Sequence, residues 1–437
     1  MKPVVVPGSE QIKSIAIINE DEKNYTRTEL IAISVTIVES MASYGTTATV
    51  YLTDTNDIIG LLPVLGHEKV VIEFQIKNDP GINKEKEEGE TRAEIFRIAS
   101  VNKVEPIRDE TPGLKYALNL ISEFTFMQEF FKVDEAFSNT VSNCIKSIHN
   151  KVLNTPHGEI KIEDTDKFKL DKIDTTDGVV NFIGPNFTPY TTIEMLQSWA
   201  YSDTFTSSAY VYFQNKNGFN FRTFDSLAKD SLKPGNKFYY KQDGTEKLAR
   251  DGELNRISGF TQQNRGDAFH LASEGRLSHK VAELDFIKKT VDYSVYNYEK
   301  NVDKYNIFGT KVFGGKKFMG NIASIPTQTH WLYRDGSKKS NYFSSGFKHK
   351  WAIYRLMYNN MLSINIPGNA NVTAGDIINI KVPQGNIGIN VKNQDKNDKF
   401  LSGNYIARDV IHHFNRVGYN TQINCIRSGS KEQMHEP

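Results

Sequence analysis

Two adjacent histidines near the end of the sequence are the residues most suggestive of chemistry. His412 and His413 close the stretch Lys399–Phe414, KFLSGNYIARDVIHHF, and Arg408 and Asp409 come just before them. Histidine and aspartate together could bind a metal ion or exchange protons. Adjacent side chains of a β-strand point to opposite faces, so the two histidines cannot both ligate one metal from this strand. We predict that each packs or hydrogen-bonds to a neighbouring strand.

The two cysteines do not indicate a reactive thiol. Cys144 shares an apolar helical stripe with Ile145 and Ile148, and Cys425 lies in the last predicted strand. A small buried side chain explains both positions better than a nucleophile does.

Two further patterns are too weak to define a site. Glu87 with Glu88, and Asp54 with Asp57, lie in polar loops, whereas a polysaccharide hydrolase needs two carboxylates placed across a cleft. Phe308–Gly320, FGTKVFGGKKFMG, is basic and glycine-rich, but no convincing helix follows it to hold a phosphate, and we interpret it as a mobile or partner-contacting loop.

The motifs of P-loop proteins, zincins, redox CxxC proteins, serine hydrolases and EF-hands are absent. We predict no catalytic residue, no cofactor and no metal ligand, and a protein that is not an enzyme.

The composition favours folded, β-rich domains and gives no sign of a charged ligand. The chain has 437 residues, 38% hydrophobic, and its formal net charge is only +1, so charge does not suggest a nucleic-acid partner. The 26 Phe and 20 Tyr suit half-buried β surfaces. Two distant cysteines give no disulfide framework and fit a reducing compartment. We expect that the N-terminal stretch does not act as a signal peptide. No run reaches the roughly 18 apolar residues of a membrane span, so we expect a soluble protein.

Hydrophobic alternation predicts an antiparallel β unit of five to seven strands in about the first 130 residues. The predicted strands are Ile31–Val38, Ala48–Leu52, Val70–Ile76, Glu94–Val104 and Tyr116–Phe131. Lys84–Glu90, KEKEEGE, is predicted to be a solvated loop tip.

The middle of the chain changes to mixed α and β character. Ser138–Asn154 is predicted to be a helix capped by Ser138, because its apolar residues recur every three or four positions. A second helix is predicted to start at Thr191, with Thr191 and Glu194 as a capping box. Asp166–Asn186, between the two helices, is predicted to be irregular.

A hairpin is predicted within Ser207–Leu227, SSAYVYFQNKNGFNFRTFDSL, since two alternating runs flank an Asn-Gly pair. Asn217 and Gly218 would adopt the left-handed conformations of its turn.

The sequence of the last third of the chain predicts further strands around one helix. Lys280–Tyr298 alternates as a strand does, and Lys348–Met361 is predicted to be a helix. The remaining predicted strands lie within Leu362–Val382, around a turn at Pro367-Gly368-Asn369, and at Tyr405–Phe414 and Tyr419–Arg427.

The order of these segments resembles the baseplate hub subunit of contractile-tailed bacteriophages of the T-even-like type. The final segment is also similar to the hub region of phage late-control proteins and of type VI secretion spike proteins. The segments that carry the resemblance are ELIAISVTIVES, TATVYLTDTNDIIGLLPVLGHEKVVIEFQI, YVYFQNKNGFNFRTFDSL, MLSINIPGNANVTAGDIINIKVP and FLSGNYIARDVIHHFNRVGYNTQINCIR. No single motif among them is specific, but the set is co-linear over nearly the whole chain.

This resemblance implies a mainly β fold with α+β parts. Two tail-tube-like antiparallel β-barrel domains would be joined by smaller mixed domains. The expected division is 1–134 for the first barrel, 135–274 for an intermediate α+β domain and 275–437 for the second barrel, with insertions at about 301–361 and 384–399.

The resemblance also implies partners and a location. Three copies would form a ring with pseudo-sixfold symmetry that joins the trimeric central spike to the hexameric tail tube or tube-initiator proteins. The ring would enclose a channel for the tape measure protein and for DNA in transit. The protein would be assembled in the host bacterial cytoplasm and reside in the virion, in the tail baseplate.

Two alternative functions stay open. Another tube-like tail component, such as a distal tail or tube-initiator protein, would form a ring of six copies, and a tail-associated cell-wall hydrolase would need a carboxylate pair or metal cluster. For the hub we expect a lumen without a dense Lys/Arg belt, because strong phosphate binding would slow the passage of DNA.

Overall fold

The computed structural model of the chain is mainly antiparallel β-sheet with a few short helices. It describes residues 5–18, 25–29, 31–55, 64, 66, 68–78, 91–106, 113–157, 161–202, 204, 209–240, 255–265, 278–285, 289–297, 300, 322–326, 350, 353–354, 357–358, 360–383, 397–398, 401–415 and 418–427. The loops predicted at Lys84–Glu90 and Phe308–Gly320, and most of the insertions predicted at 301–361 and 384–399, lie outside the described residues. In the described part of the chain, no helix has the length and apolar character of a membrane span.

Seven antiparallel strands form the N-terminal β unit, within the predicted range of five to seven. They are β1 (Val5–Ile18), β2 (Tyr25–Arg27), β3 (Ala32–Ser40), β4 (Thr47–Asp54), β5 (Lys69–Asn78), β6 (Thr91–Pro106) and β7 (Leu114–Ser122). Their order in the sheet is β3-β4-β7-β6-β5-β1-β2. Apolar residues at every second position of β3 and β4, among them Val35 and Val50, are fully buried in one core.

The predicted strand Tyr116–Phe131 is wrong in its second half. The chain leaves the sheet after Ser122, whose hydroxyl accepts a hydrogen bond from the Thr125 amide and caps helix α1 (Glu123–Met127). A single 3-10 turn, Gln128–Phe130, follows.

The intermediate segment packs helices against a small mixed sheet. Its elements are β8 (Ala136–Thr140), α2 (Val141–Asn154), a 3-10 turn (Thr165–Phe168), β9 (Leu170–Ile173), β10 (Val179–Ile183), α3 (Pro189–Trp199), β11 (Tyr210–Asn215), β12 (Gly218–Thr223) and α4 (Phe224–Ala228). The order is β11-β12-β9 in one sheet, and β10 pairs with β8 in another. The prediction that Asp166–Asn186 is irregular is therefore wrong, because this stretch contains β9 and β10.

Both helix starts differ from the prediction by a few residues. Thr140, not Ser138, caps α2, since its hydroxyl accepts from the Asn143 amide and the chain up to Thr140 is paired in β8. Helix α3 is capped by Thr188 and begins with Pro189, a residue suited to the first helical position. Thr191 is already inside the helix, where its amide donates to the Thr188 hydroxyl.

The predicted hairpin is β11–β12, and its turn lies one residue earlier than predicted. Asn215 pairs with Gly218, so Lys216 and Asn217 are the central residues of the turn. Gly218 has a positive φ of 129°, whereas Asn217 does not, and the predicted left-handed Asn217 is wrong. Every residue of both strands is buried, because one face of the hairpin packs on the helices and the other on the C-terminal strands.

The C-terminal strands complete the largest sheet. They are β13 (Lys237–Tyr240), β14 (Arg256–Ile257), β15 (Gly259–Arg265), β19 (Asn360–Pro367), β20 (Ile377–Lys381), β21 (Gly403–Asn415) and β22 (Tyr419–Arg427). A separate sheet has the order β17-β16-β18, with β16 (His279–Asp285), β17 (Thr290–Tyr296) and β18 (Ile322–Pro326). The alternating run Lys280–Tyr298 is thus two strands rather than one. Lys350, Ile353, Tyr354 and Met357 are helical, as predicted.

Strand β21 joins the N-terminal and C-terminal strands into one sheet of 14 strands. It pairs with β20 through Gly403–Ile406, with β3 through Asp409–Asn415, and with β22 along most of its length. This junction has no signature in the hydrophobic pattern, and the sequence does not predict it.

His149 of α2 is a fully buried histidine whose two ring nitrogens are both hydrogen-bonded. Nε2 lies 2.7 Å from the Phe168 carbonyl oxygen and Nδ1 lies 2.9 Å from the Tyr212 hydroxyl. Since a carbonyl can only accept, Nε2 carries the proton and Nδ1 accepts from Tyr212. The ring also stacks on Phe124, with centroids 4.5 Å apart. Burial lowers the pKa of His149 to about 4, so the ring is neutral in the fold.

We expect acid to destabilise the intermediate segment through His149. Its pKa falls from 6.5 to about 4 on folding, so the unfolded chain binds the proton more readily. This difference contributes about 3 kcal/mol to the free energy of unfolding above pH 6.5. The contribution is lost as the pH falls from 6.5 through 4. Urea unfolding measured between pH 7 and pH 4 should show a steeper loss for the wild type than for His149→Gln. The control His157→Gln alters an exposed histidine and should keep the wild-type profile. Equal slopes for wild type and His149→Gln would contradict the assignment.

Candidate functional site

The two histidines of β21 lie on opposite faces of the sheet, as predicted. His412 is buried, and its Nδ1 lies 2.8 Å from the hydroxyl of Tyr419 on β22. His413 lies on the other face, where its Nδ1 is 3.1 Å from the hydroxyl of Thr36 on β3. Each ring therefore links β21 to a neighbouring strand.

The surroundings of His413 favour its neutral form. Partial burial lowers its pKa below the usual histidine value, and Thr36 is a neutral partner. The ring thus contributes a polar surface and no positive charge.

Asp409 is fully engaged in hydrogen bonds within the sheet. Its carboxylate accepts from the Ser40 hydroxyl at 2.6 Å, from Arg408 Nε at 2.9 Å and from Asn424 Nδ2 at 3.1 Å. The side chain is nearly inaccessible, at 9% exposure, so it crosslinks β3, β21 and β22 instead of facing a substrate.

The other residues whose types suggested chemistry are, where the structure describes them, buried in the fold. Cys144 and Cys425 are buried, and burial raises the pKa of the Cys144 thiol to about 11 and that of Cys425 well above its ordinary value. Asp54 is buried at the end of β4. Glu87, Glu88 and Asp57 lie outside the described residues. The described residues bring no three His, Cys, Asp or Glu side chains together as a potential metal site.

The most extensive functional candidate is instead a polar surface that crosses seven strands. One row of side chains runs through paired residues of β19, β22, β21, β3, β4, β7 and β6. In that order the row is Pro367, Asn420, His413, Thr36, Thr49, Asn119 and Ser100. We call this row, with the adjacent Ser34, Asn365, Gln422 and Asn424, the polar sheet face.

Side-chain hydrogen bonds hold the polar sheet face together. Asn119 Nδ2 donates to the Ser100 hydroxyl at 3.1 Å, and Gln422 Nε2 donates to the Ser363 hydroxyl at 3.1 Å. Ser363 in turn donates to Asn424 Oδ1 at 2.8 Å. These cross-strand pairs tie the named side chains into one surface, with a shallow groove of about 470 Å³ beside His413.

The opposite side of the same strands is a continuous core. Tyr419 stacks on Phe414 with ring centroids 4.2 Å apart, and Phe414 packs on Phe74 of the N-terminal β unit at 4.8 Å. Gly368 lies against the Tyr419 ring so closely that an added Cβ would be 1.9 Å from Tyr419 Cδ1. The Gly368 amide also donates to the Tyr419 carbonyl at 3.0 Å.

The sequence contains a signal for the polar sheet face in its alternation rather than in a short motif. Ser34, Thr36, Thr49 and Asn119 occupy the alternate positions of their strands that do not enter the core. The alternation was readable, but the cross-strand register that brings these residues into one row was not.

Comparison with known proteins identifies the fold. No protein-family model matches the sequence, and no curated protein matches it. The 43 kDa tail protein of prophage MuSo2 from Shewanella oneidensis is similar in structure, with a TM-score of 0.53 at 8% identity over 97% of this chain and 99% of that chain. A tail protein from Neisseria meningitidis MC58 gives a TM-score of 0.51 at 8% identity, again over 97% and 99% of the two chains.

The chain thus has the fold of prophage tail proteins, and the resemblance predicted from the sequence is confirmed at this level. A component of the type VI secretion system from E. coli is a weaker match, with a TM-score of 0.41 at 10% identity over 96% of this chain and 76% of that chain.

We predict that Gly368→Ala destabilises the contact between β19 and β22. The new methyl group would overlap the Tyr419 ring, which Phe414 and His412 hold in place, so the expected cost is about 1–3 kcal/mol. Chemical denaturation should show this loss. Gly418→Ala in the adjoining hairpin is the matched control, because its Cβ would have no atom within 4 Å. Similar stabilities for the two variants would contradict the packing described.

Proposed function

We propose that this chain is a structural baseplate hub protein of a contractile phage tail. In this proposal three copies form a ring with pseudo-sixfold symmetry between a trimeric central spike and the hexameric tail tube. The domains are a first tube-like β-barrel over 1–134, an intermediate part over 135–274 and a second barrel over 275–437, with β13 to β15 contributing to the last sheet.

The observation that carries the proposal is the shared sheet. An N-terminal and a C-terminal set of antiparallel strands meet edge to edge at β3 and β21 in one chain. Such a chain supplies two β units per copy, which is what a ring of three needs to match six tube subunits. The fold shared with prophage tail proteins supports the same class of role.

The polar sheet face supports a channel for tape measure and DNA. Its row of Asn, Thr, Ser and neutral His side chains offers hydrogen bonds without positive charge. In the proposed ring this face lines the lumen, where neutral dipoles would let the phosphate backbone pass with little retention. The buried Asp409 and the raised thiol pKa values fit a structural role without catalysis.

The copy number of the ring tests this function. Native mass measurement of the purified protein, alone and with its spike, should give three hub copies. Six copies would favour a distal tail or tube-initiator protein instead. A stable monomer in both samples would reject the hub.

A lysine placed on the polar sheet face should impede DNA passage without preventing assembly. Thr49→Lys would add one positive charge per copy beside Asn119, and each phosphate contact strengthens DNA retention. At low salt, tails that contain this variant should eject DNA several-fold more slowly than wild-type tails do. The difference should shrink at high salt, and the mass of the ring should be unchanged. Ser147→Lys, at an exposed position of helix α2, is the control and should eject as the wild type does. Equal ejection rates for both variants would place the polar sheet face outside the lumen.

A further inference from the structure

Strand β17 presents an apolar stripe on a sheet edge. Val291, Tyr293 and Val295 occupy alternate positions and are 45%, 62% and 60% exposed. Within the described part of the chain, β17 pairs only with β16 and is the edge strand of its sheet. A strand edge with an exposed apolar face is a ready template for another strand.

Strand β10, in the intermediate segment, presents a second stripe of the same kind. Val179 and Ile183 are 46% and 71% exposed on one face, and Phe187 nearby is 46% exposed. In the described residues β10 pairs only with β8, and a two-stranded ribbon is marginal by itself. The chain thus carries two different apolar strand stripes, in two different parts.

We propose that β17 of one copy pairs with β10 of the next copy, so that the contact repeats head to tail around the ring. This inference rests on the proposed hub ring and names the surfaces that close it. The occupant of each stripe is a second copy of this chain. An antiparallel pair with Val295 opposite Val179 and Val291 opposite Ile183 would put Tyr293 opposite Asn181, with the two stripes on one face.

The two stripes match in length and in charge at their ends. β10 has five residues and β17 has seven, so the whole of β10 can pair. In the antiparallel register the exposed Lys289, which precedes β17, approaches the end of β10, where Asp134 is exposed and Glu135 is already paired with Lys151.

A head-to-tail contact accounts for both stripes at once. A self-complementary dimer through β17 would pair that strand edge and leave the edge of β10 unpaired, whereas a heterologous contact pairs both edges on every copy and sets the two stripes side by side. Three apolar side chains from β17 and two from β10 are far fewer than the residues of a stable two-body interface. Closure of a ring compensates for this, because each copy is then held at two contacts.

Cysteine crosslinking of the full-length protein tests the pairing. Directly opposite residues on paired strands have Cβ atoms about 4.5–5.5 Å apart, close to disulfide range. The native Cys144 and Cys425 are buried, so they contribute little background. An equimolar mixture of Val295→Cys and Val179→Cys proteins, oxidised at native concentration, should give a covalent dimer. Each variant alone should give none, and the double variant should give a ladder that ends at a trimer.

Three results would overturn the inference. Crosslinking of a Tyr293→Cys variant with itself would indicate a twofold β17 contact centred on that residue, and efficient crosslinking of Val291→Cys with Val179→Cys would indicate the opposite strand direction. A protein that has the mass of a trimer but gives no crosslink in the mixture would reject this interface and leave the hub function standing. A monomeric wild type without crosslinks would reject both.

Discussion

The structure depends on one strand that has three partners. Backbone amides and carbonyls inside a fold must be hydrogen-bonded, so a strand normally has two neighbours, one on each edge. β21 acquires a third by changing partner along one edge. The Ala407 amide donates to the backbone carbonyl of Asp376, and the Ala407 carbonyl accepts from the Gly375 amide. The next carbonyl, that of Arg408, accepts from the amide of Met41, the residue that follows β3. A bulge against β22 lies at the same point, between Ala407 and Asp409, and it supplies the local bend that the change of partner requires.

The separation of the polar sheet face from the core on the opposite side of the same strands follows from this junction. The bulge shifts the alternation of β21 by one residue. Tyr405 and Ala407 before it and Val410 after it therefore face the same core, Phe414 faces the core of the N-terminal β unit, and Asp409 and His413 stay on the other side. The intermediate segment is held to the junction by polar contacts of the β11–β12 hairpin. The Asn215 side chain donates to the Ala374 carbonyl at 3.1 Å, and the Gln214 side chain accepts from the Thr46 amide at 3.1 Å.

Local features of the fold were predictable from the sequence, and the junction was not. Alternation located β3, β4, β5, β21 and β22, since each buries one face. Helix starts were missed by two or three residues because several Thr and Ser residues near Thr140 and Thr188 can all cap, and strand pairing decides which one does. The split between His412 and His413 followed from strand geometry alone. The row from Asn420 to Ser100 depends on long-range register, which local patterns do not encode.

The same physics explains how so little sequence identity can preserve one architecture. Strand pairing is made by the backbone, which every residue supplies, so side chains need only keep their alternation and volume. The few positions with stricter demands are contacts such as Gly368 under the Tyr419 ring, where no larger side chain fits. A fold with so few strict positions can form at a sequence identity of 8% over nearly the whole chain, as the comparison with the Shewanella oneidensis tail protein shows. It also leaves no short motif to search for, because the features proposed to carry function are a strand edge and a neutral polar face, and many sequences can form both.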